Sequence, residues 1–406
     1  MGWKLVGKAL IGQSGGPTAV INQSLVGAIK EARRYKKCFT GVLGALHGVD
    51  GILKERFIDL SAQDTKTLNL VAATPSAALG SVRHKPTPEE CKRVFEICQK
   101  RNVRHFFYIG GNDSAETAYL INQLGREAGY ELRLIHIPKT IDNDLRVTDH
   151  CPGFGSAARF VAQAFMGDNL DNRSLPGIKI NVVMGRHAGF LTAASALGRK
   201  YADDGPHLIY VPEVAFEEAQ FLRDVENAVK RLGRCVIAVS EGIHEKDGSL
   251  IASKFISGVD AHGNVQLSGS GALGDYLANL VTDRMTKVTG KTPRVRADTF
   301  GYLQRCYPGV VSEVDAQEAF EVGRHAVRFA VSGDVDGSVI IRRKAGPDYA
   351  VDYGLVPLEQ LAKHTKSMPR RFINRAGNNV TQAFIDYALP LVGQLPPVGR
   401  LENASV

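Results

Sequence analysis

Short apolar runs recur along the chain, each followed by a glycine-bearing turn and then by apolar residues at helical spacing. Lys4–Ile11 reads as a strand, Gly12-Gln13-Ser14-Gly15-Gly16-Pro17 as a turn and Thr18–Arg33 as a helix. The same unit returns at Val103–Ile109, compact and β-rich, with Gly110-Gly111-Asn112-Asp113 as its turn and Ser114–Leu124 as its helix. Leu132–Pro138 predicts the neighbouring strand, and Ile178–Met184, Gly185-Arg186-His187 and Ala188–Leu197 repeat the series. Strand and helix signals alternate through about residue 345, which predicts an α/β fold of Rossmann-like, three-layer domains with mostly parallel sheets. In such sheets all these turns leave the carboxyl edge, where ligands bind.

The turns carry chemistry. Glycines at 15–16 and 110–111 let a ligand approach the backbone, and Pro17 suits a first helical turn whose N–H groups favour an anion. Asn112 and Asp113 equally suit simple helix capping. Pro138-Lys139-Thr140-Ile141-Asp142-Asn143-Asp144 follows the next strand, so its two carboxylates leave the same edge. Asp142 and Asp144 suit a base for an attacking hydroxyl and a second group that orients it or holds a metal. Asp-Asn-Asp is also ordinary turn composition.

Composition narrows the class. The chain has 406 residues, 44% of them hydrophobic, enough for two domains of ordinary size. No apolar stretch approaches the roughly 18 residues that span a membrane, and the first residues lack a signal core, so the expectation is a cytoplasmic protein without a membrane partner. Cysteines 38, 91, 98, 151, 235 and 306 form no Cys-x-x-Cys pair and are expected to be free thiols. The net charge of +8 comes without a basic run, which argues for small anionic substrates over nucleic acid.

Gly110–Ser114, Pro138–Asp144, Met184-Gly185-Arg186-His187-Ala188-Gly189 and Gly301-Tyr302-Leu303-Gln304-Arg305 together resemble the signature set of the phosphofructokinases. The variants are similar to those of the pyrophosphate-dependent members, and the likeness covers residue 5 to about 330. It implies transfer of a phosphoryl group from pyrophosphate to the 1-hydroxyl of fructose 6-phosphate, with Mg2+ as cofactor. Asp142 matches the family's base and Thr140 a substrate contact beside it, while Asn112 falls where ATP-using relatives carry a magnesium-binding aspartate. An amide oxygen ligates Mg2+ more weakly than a carboxylate. Asp113 and Lys139 stand where those relatives have glycine. A carboxylate about 4 Å from a nucleotide phosphate oxygen would cost about 4 kcal/mol at an effective dielectric of 20. Lys139 sets a compact positive charge against the departing phosphate.

By the same resemblance Gly15 and Arg83 contact pyrophosphate. Asp144, Gly185, Arg186, His187, Glu241, Tyr302, Gln304 and Arg305 join Thr140 and Asp142 on the sugar phosphate, with Tyr302, Gln304 and Arg305 near its 6-phosphate. Arg296 would serve a neighbouring subunit, which implies a homodimer or homotetramer with a site completed across subunits. A second such arginine would fall at Gly177, with Arg173 or Lys179 as replacements. The implied domains are residues 1–145 with about 265–310 on the pyrophosphate side and 146–264 with about 311–345 on the sugar-phosphate side, the site lying in the cleft between. Residues 346–406 would be a C-terminal extension, its Leu395–Gly399 stretch an exposed tail.

Three further motifs fall away. Gly290-Lys291-Thr292 lacks the first glycine of a P-loop, because residue 285 is methionine. Gly153-Phe154-Gly155 follows polar residues instead of a strand and reads as the start of a helix over 156–167, and Asp334–Ser338 lacks the remaining ligands of a calcium loop and reads as a turn. Two rival functions stay open at this point. One is an ATP-dependent phosphofructokinase, disfavoured by Asp113 and Lys139; the other is a non-catalytic regulatory subunit on the same fold, disfavoured by the retained Asp142, Asp144, Arg83 and Arg186.

Overall fold

A computed structural model describes residues 5–255, 267, 269–333, 336–361 and 365–401. Lys4 of the first expected strand and Asp334 and Val335 of the expected turn lie outside the described residues. Eleven strands form among them: β1 Gly7–Gln13, β2 Phe39–Ala45, β3 Phe57–Asp59, β4 Val103–Gly110, β5 Arg133–Pro138, β6 Ile178–Val183, β7 Leu208–Tyr210, β8 Cys235–Ser240, β9 Val295–Thr299, β10 Gly337–Arg343 and β11 Val351–Val356. The chain divides into two compact α/β units. One takes the residues up to Ala157 and Tyr302–Met368; the other takes Ala158 to Phe255, Leu267–Gly301 and the residues from Pro369.

The first unit holds a seven-stranded sheet in the order β11-β10-β5-β4-β1-β2-β3. Its five inner strands run parallel, and the edges β3 and β11 are antiparallel to their neighbours. Both faces are covered, so β4 alternates between two cores. Phe107 and Ile109 face Ile21, Leu25, Val322 and Val339, while Phe106 and Tyr108 face Val94, Phe95, Ile121 and Leu134. That is why Val103–Ile109 reads as one apolar run, each buried phenylalanine contributing about 1.5–3 kcal/mol. Helix Pro88–Lys100 opens with a capping box, Thr87 Oγ1 accepting from the Glu90 N–H and Glu90 returning to the Thr87 N–H.

The second unit holds a four-stranded, wholly parallel sheet, β7-β8-β6-β9. The C-terminal helix Gln382–Val392 belongs to it, seating Phe384 and Tyr387 against Phe372 and Phe190.

The segments after residue 264 are apportioned differently from the expectation. Helix Glu313–Ser332 lies on helix Ile21–Ala32 in the first unit, because Gly27 and Gly323 let the backbones touch and Glu31 pairs with Arg324 and Arg328, both at 2.9 Å. Residues 311–345 therefore go with the first sheet, where β10 continues β5 through Gly337↔Ile135. Helix Ala272–Thr289 and β9 go instead to the second, β9 pairing with β6. The extension splits, since β11 closes the first sheet and the residues from Pro369 join the second unit. Its expected free tail is docked: Val398 O accepts from Lys200 Nζ at 2.8 Å, and Arg400 pairs with Asp203 and Asp204 at 2.6 Å each.

Helix starts also shift. The first helix begins at Ile21, four residues beyond Pro17, and the helix expected over 156–167 runs Phe154–Ser174. Gly290 is a left-handed C-cap of helix Ala272–Thr289, which accounts for the false P-loop.

Candidate active site

In the first sheet the strand order reverses between β1 and β4, and the turns after both leave the carboxyl edge there. The Ser14 N–H donates to Ile109 O at 2.9 Å and the Lys139 N–H to Gly110 O at 2.9 Å, which ties the ends of β1, β4 and β5 into one rim. His136 supports that rim from below. Burial lowers its pKa to about 4, so the neutral ring donates from Nε2 to Gly110 O at 2.9 Å and accepts at Nδ1 from Ser338 Oγ at 2.8 Å.

Helix Asn112–Glu127 takes Gly111 as its N-cap, so neither Asn112 nor Asp113 caps it through its side chain. Asn112 is turned to the acidic cluster, its Nδ2 donating to Asp144 Oδ2 at 2.9 Å. Its Oδ1 is buried without a hydrogen-bond partner. An unpartnered amide oxygen beside a carboxylate fits a divalent-cation site that would take its remaining ligands from waters and phosphates. Asp113, in the first turn, is exposed and adds to the negative charge felt by Lys85, which pairs with Glu116 at 2.8 Å.

Asp144 is the organiser of its loop. It accepts from Thr140 Oγ1 at 3.1 Å as well as from Asn112, and Thr140 Oγ1 in turn accepts from the Asp142 N–H at 3.1 Å. Asn143 takes a left-handed backbone, φ 58°, with its side chain accepting from the Cys151 N–H. Asp142 is thereby set part-buried between two buried neighbours, Ile141 and Asn143. Thr140 is fixed from the other side by its N–H to Pro152 O and by pairing with Gly153, whose N–H is held by Asp315.

Lys139 is 3% exposed, and its Nζ donates to Gly16 O at 2.7 Å. Burial lowers its pKa from 10.5 to about 8; Arg305 and Arg83 push the same way, against Asp142 and Asp144. The Gly15-Gly16 turn differs from the expected helix-start cradle. The Gly15 N–H is committed to Val82 O at 3.0 Å and the helix begins only at Ile21, so attraction for an anion here comes chiefly from side-chain cations. Gly15 has φ 76°, and a Cβ there would stand 3.1 Å from Lys139 Nζ.

The Tyr302–Arg305 segment belongs to this first unit. Gln304 is buried and Tyr302 exposed, with the Arg305 guanidinium 4.5 Å from the Tyr302 ring. Arg305 lies over Gly16, its Nη1 2.6 Å from where a Cβ would be. Its place over the Gly15-Gly16 turn is not something the sequence reading foretold.

The second unit gathers another set at the ends of β6 and β8. Gly185 has φ 137°, and a Cβ there would meet Ala188 O at 2.6 Å. Ser240 Oγ donates to Gly185 O at 2.5 Å and Glu241 Oε1 accepts from the Gly185 N–H at 3.5 Å, so the turn carrying Arg186 and His187 is fixed against Glu241. Glu213, which the sequence did not single out, accepts from the Gly189 N–H at 2.9 Å and secures the far end of that turn. Arg296 stands exposed on β9. Beside Gly177 there is no room for a side chain, because Arg294 O would lie 2.7 Å from a Cβ. Arg173 is paired with Asp203, and Lys179 with Asp298.

Two α/β units that display glycine turns, carboxylates and cations at the ends of parallel strands define a phosphoryl-transfer protein. Residues 8–330 match the family model described as Phosphofructokinase, and the chain belongs to that family. It is 53% identical to the pyrophosphate--fructose 6-phosphate 1-phosphotransferase of Rhodospirillum rubrum over 98% of both chains. A protein of the same description from Xanthomonas campestris is 38% identical over 96% of this chain and 93% of its own. The crystal structure of the pyrophosphate-dependent phosphofructokinase from Marinobacter aquaeolei superposes with a TM-score of 0.84 at 34% identity, covering 97% of this chain and 94% of that one.

Proposed function

We propose that this chain transfers a phosphoryl group from inorganic pyrophosphate to the 1-hydroxyl of fructose 6-phosphate, reversibly, giving fructose 1,6-bisphosphate and phosphate. The observation that carries the donor assignment is Lys139, a buried ammonium seated on Gly16 O with the glycine turn close around it. The space that two glycines would leave for a nucleotide at 113 and 139 is filled here by a carboxylate and an ammonium.

In the forward step the 1-hydroxyl oxygen forms a bond to one phosphorus of pyrophosphate while the bond from that phosphorus to the bridging oxygen breaks. The hydroxyl proton passes to the Asp142 carboxylate, and the departing phosphate keeps the bond's electron pair. Orientation and charge stabilisation matter more here than base strength, which suits a carboxylate held in place by its loop. Lys139 and Arg83 bear on the departing phosphate. Asn112 Oδ1 would hold Mg2+, which when bound neutralises charge on the transferring phosphoryl group. Gly185, Arg186, His187 and Glu241 recognise the sugar phosphate, and Arg296 completes the site of a neighbouring subunit in a homodimer or homotetramer.

The test is a donor comparison with fructose 6-phosphate as acceptor. Pyrophosphate is expected to support turnover with kcat/KM well above that for ATP, and equal or better activity with ATP would overturn the donor assignment. Asp113→Gly combined with Lys139→Gly is expected to lower pyrophosphate use and open the site to ATP.

A further inference from the structure

We infer that His84 is a positioning residue for the donor: its ring bridges Asp50 and Glu90 and so clamps the strap that carries Arg83 over the Gly15 turn. The inference rests on pyrophosphate being the donor and on Arg83 being one of its contacts.

Residues 80–87 form no regular element, yet they are tied down along their length. Ser81 Oγ donates to Gly15 O at 2.5 Å and Val82 O accepts from the Gly15 N–H at 3.0 Å, which lays the strap on the first glycine turn. Two residues on, His84 faces carboxylates from two different helices. Its Nδ1 lies 2.7 Å from Asp50 Oδ1, on helix Gly48–Leu53, and its Nε2 lies 2.8 Å from Glu90 Oε2, on helix Pro88–Lys100. Arg83, between these anchors, is exposed, and its charge bears on Lys139, as do those of Arg305, Asp142 and Asp144.

The geometry decides the charge of the ring. A neutral imidazole has one donor and one acceptor nitrogen, and an acceptor nitrogen at either of these distances would set its lone pair against a carboxylate oxygen. Both nitrogens donate only in the imidazolium, so the bridge is a cation held between two anions. Burial opposes that charge, but the hydrogen bonds to Glu90 and Asp50 outweigh it and raise the His84 pKa. The neighbouring charges are Arg93, which acts on Glu90 from the same helix, the flanking Arg83 and Lys85, and Glu116 and Asp113, which act on Lys85 from helix Asn112–Glu127. Glu90 also accepts from the Thr87 N–H at 2.9 Å, so the ring hangs on a side chain that its own capping box has fixed. Loss of the proton leaves one of the two bonds, and the freed strap lets Arg83 drift from a phosphate that needs it within hydrogen-bond reach.

Initial-rate kinetics on the full-length protein test this, with wild type, His84→Gln and His84→Arg compared from pH 6.5, the ordinary imidazole value, upward. Glutamine donates from one end of its amide only and cannot bridge two carboxylates, whereas arginine stays charged throughout. At pH 6.5, His84→Gln should lower kcat/KM for pyrophosphate roughly tenfold to a hundredfold, with KM for fructose 6-phosphate within about threefold of wild type. Because His84 holds its proton below its raised pKa, the gap between wild type and His84→Gln should close as pH rises through that value, while Lys139 and pyrophosphate titrate alike in both proteins. His84→Arg should stay within about threefold of wild type at the acid end and exceed it by about pH 9.5. In an Arg83→Met background, His84→Gln should change kcat/KM by less than about threefold, since it acts through that arginine. An equal loss for both substrates overturns the inference, as does full additivity with Arg83→Met. So does a gap that stays constant to about pH 9.5, above the range in which nearly all histidines titrate. If wild type turns over with ATP and not with pyrophosphate, the donor reading itself fails, and that failure is visible before any variant is compared.

Discussion

Lys139 is under opposing demands that a single substitution separates. A lysine whose pKa is lowered from 10.5 to about 8 on folding binds fewer protons than the unfolded chain between those values, so stability rises with pH across that window and the penalty is complete below about pH 8. At 1.36 kcal/mol per unit the penalty near neutrality is on the order of 3 kcal/mol. Lys139→Met is therefore expected to raise Tm at pH 7, by less than that figure implies because Gly16 O loses its donor, and the gain should vanish by about pH 10.5 in thermal unfolding. The same variant should raise KM for pyrophosphate roughly tenfold to a hundredfold, the value of a charged hydrogen bond. In wild type kcat/KM for pyrophosphate should fall above about pH 8 as the ammonium deprotonates, and Lys139→Arg should remove that fall. Gly185 gives a second test. At φ 137° with Ala188 O 2.6 Å from a Cβ, Gly185→Ala must shift the turn that carries Arg186 and His187. Initial-rate kinetics should show KM for fructose 6-phosphate raised by at least about tenfold, with KM for pyrophosphate nearly unchanged, since the strain is local to that turn.

Among the elements, the loop after β5 is the least self-sufficient, and the chain beyond the family-matched region is what holds it. Residue 143 sits at φ 58° and the β-branched Val147 at φ 67°, so backbone strain lies on both sides of Asp144. It persists because the surroundings over-determine the loop. The Ile341 N–H of β10 donates to Thr148 Oγ1 and its carbonyl accepts from the Asp149 N–H, Leu145 pairs with Thr365, and the Lys366 N–H donates to Asp144 O at 2.7 Å. Lys366 Nζ then donates to Thr148 O at 3.1 Å and Asp149 O at 3.0 Å. Lys366→Met is expected to lower kcat roughly tenfold to a hundredfold, the scale of a small misplacement of a reacting group, with KM for either substrate little changed. A Lys366→Met enzyme with wild-type kcat would show that the loop keeps its geometry unaided. The turns and strands that flank this loop were legible in the sequence, because a strand buried on both faces writes a continuous apolar run and a sharp turn writes glycine. Lys366 was not, since a lysine whose work is to cap backbone carbonyls some two hundred residues away carries no local pattern. Helix starts were legible only to within a few residues: Pro17 looked like a first-turn residue, yet the chain spends Gly15 and Gly16 on the approach to Val82 and Lys139 before the helix begins at Ile21.

For the whole molecule, the alternation of elements gave two α/β units correctly, but their later segments were apportioned by contacts that sequence order does not reveal. Gly27 against Phe320 O and Gly323 against Ser24 O bind residues 313–332 to the first unit through backbone contact, a signal that appears in the sequence only as two unremarked glycines. The assembly is a matter of the same kind. Arg296 is exposed on β9, and among the described residues its side chain hydrogen-bonds only to Val295 O, so it is free to serve another copy. In a symmetric assembly each copy would give its arginine and receive one. This can be read by complementation. Asp142→Ala and Arg296→Ala should each be inactive alone, the first for want of a base and the second for want of a phosphate contact. After the two are denatured and refolded together in equal amounts, half the dimeric pairs are mixed, and each mixed pair holds one site with both groups intact and one with neither. Activity should then return to about one quarter of wild type by the statistics of random pairing. A mixture that stays inactive, while co-refolded wild type recovers fully, would place Arg296 in the site of its own chain or outside the site altogether.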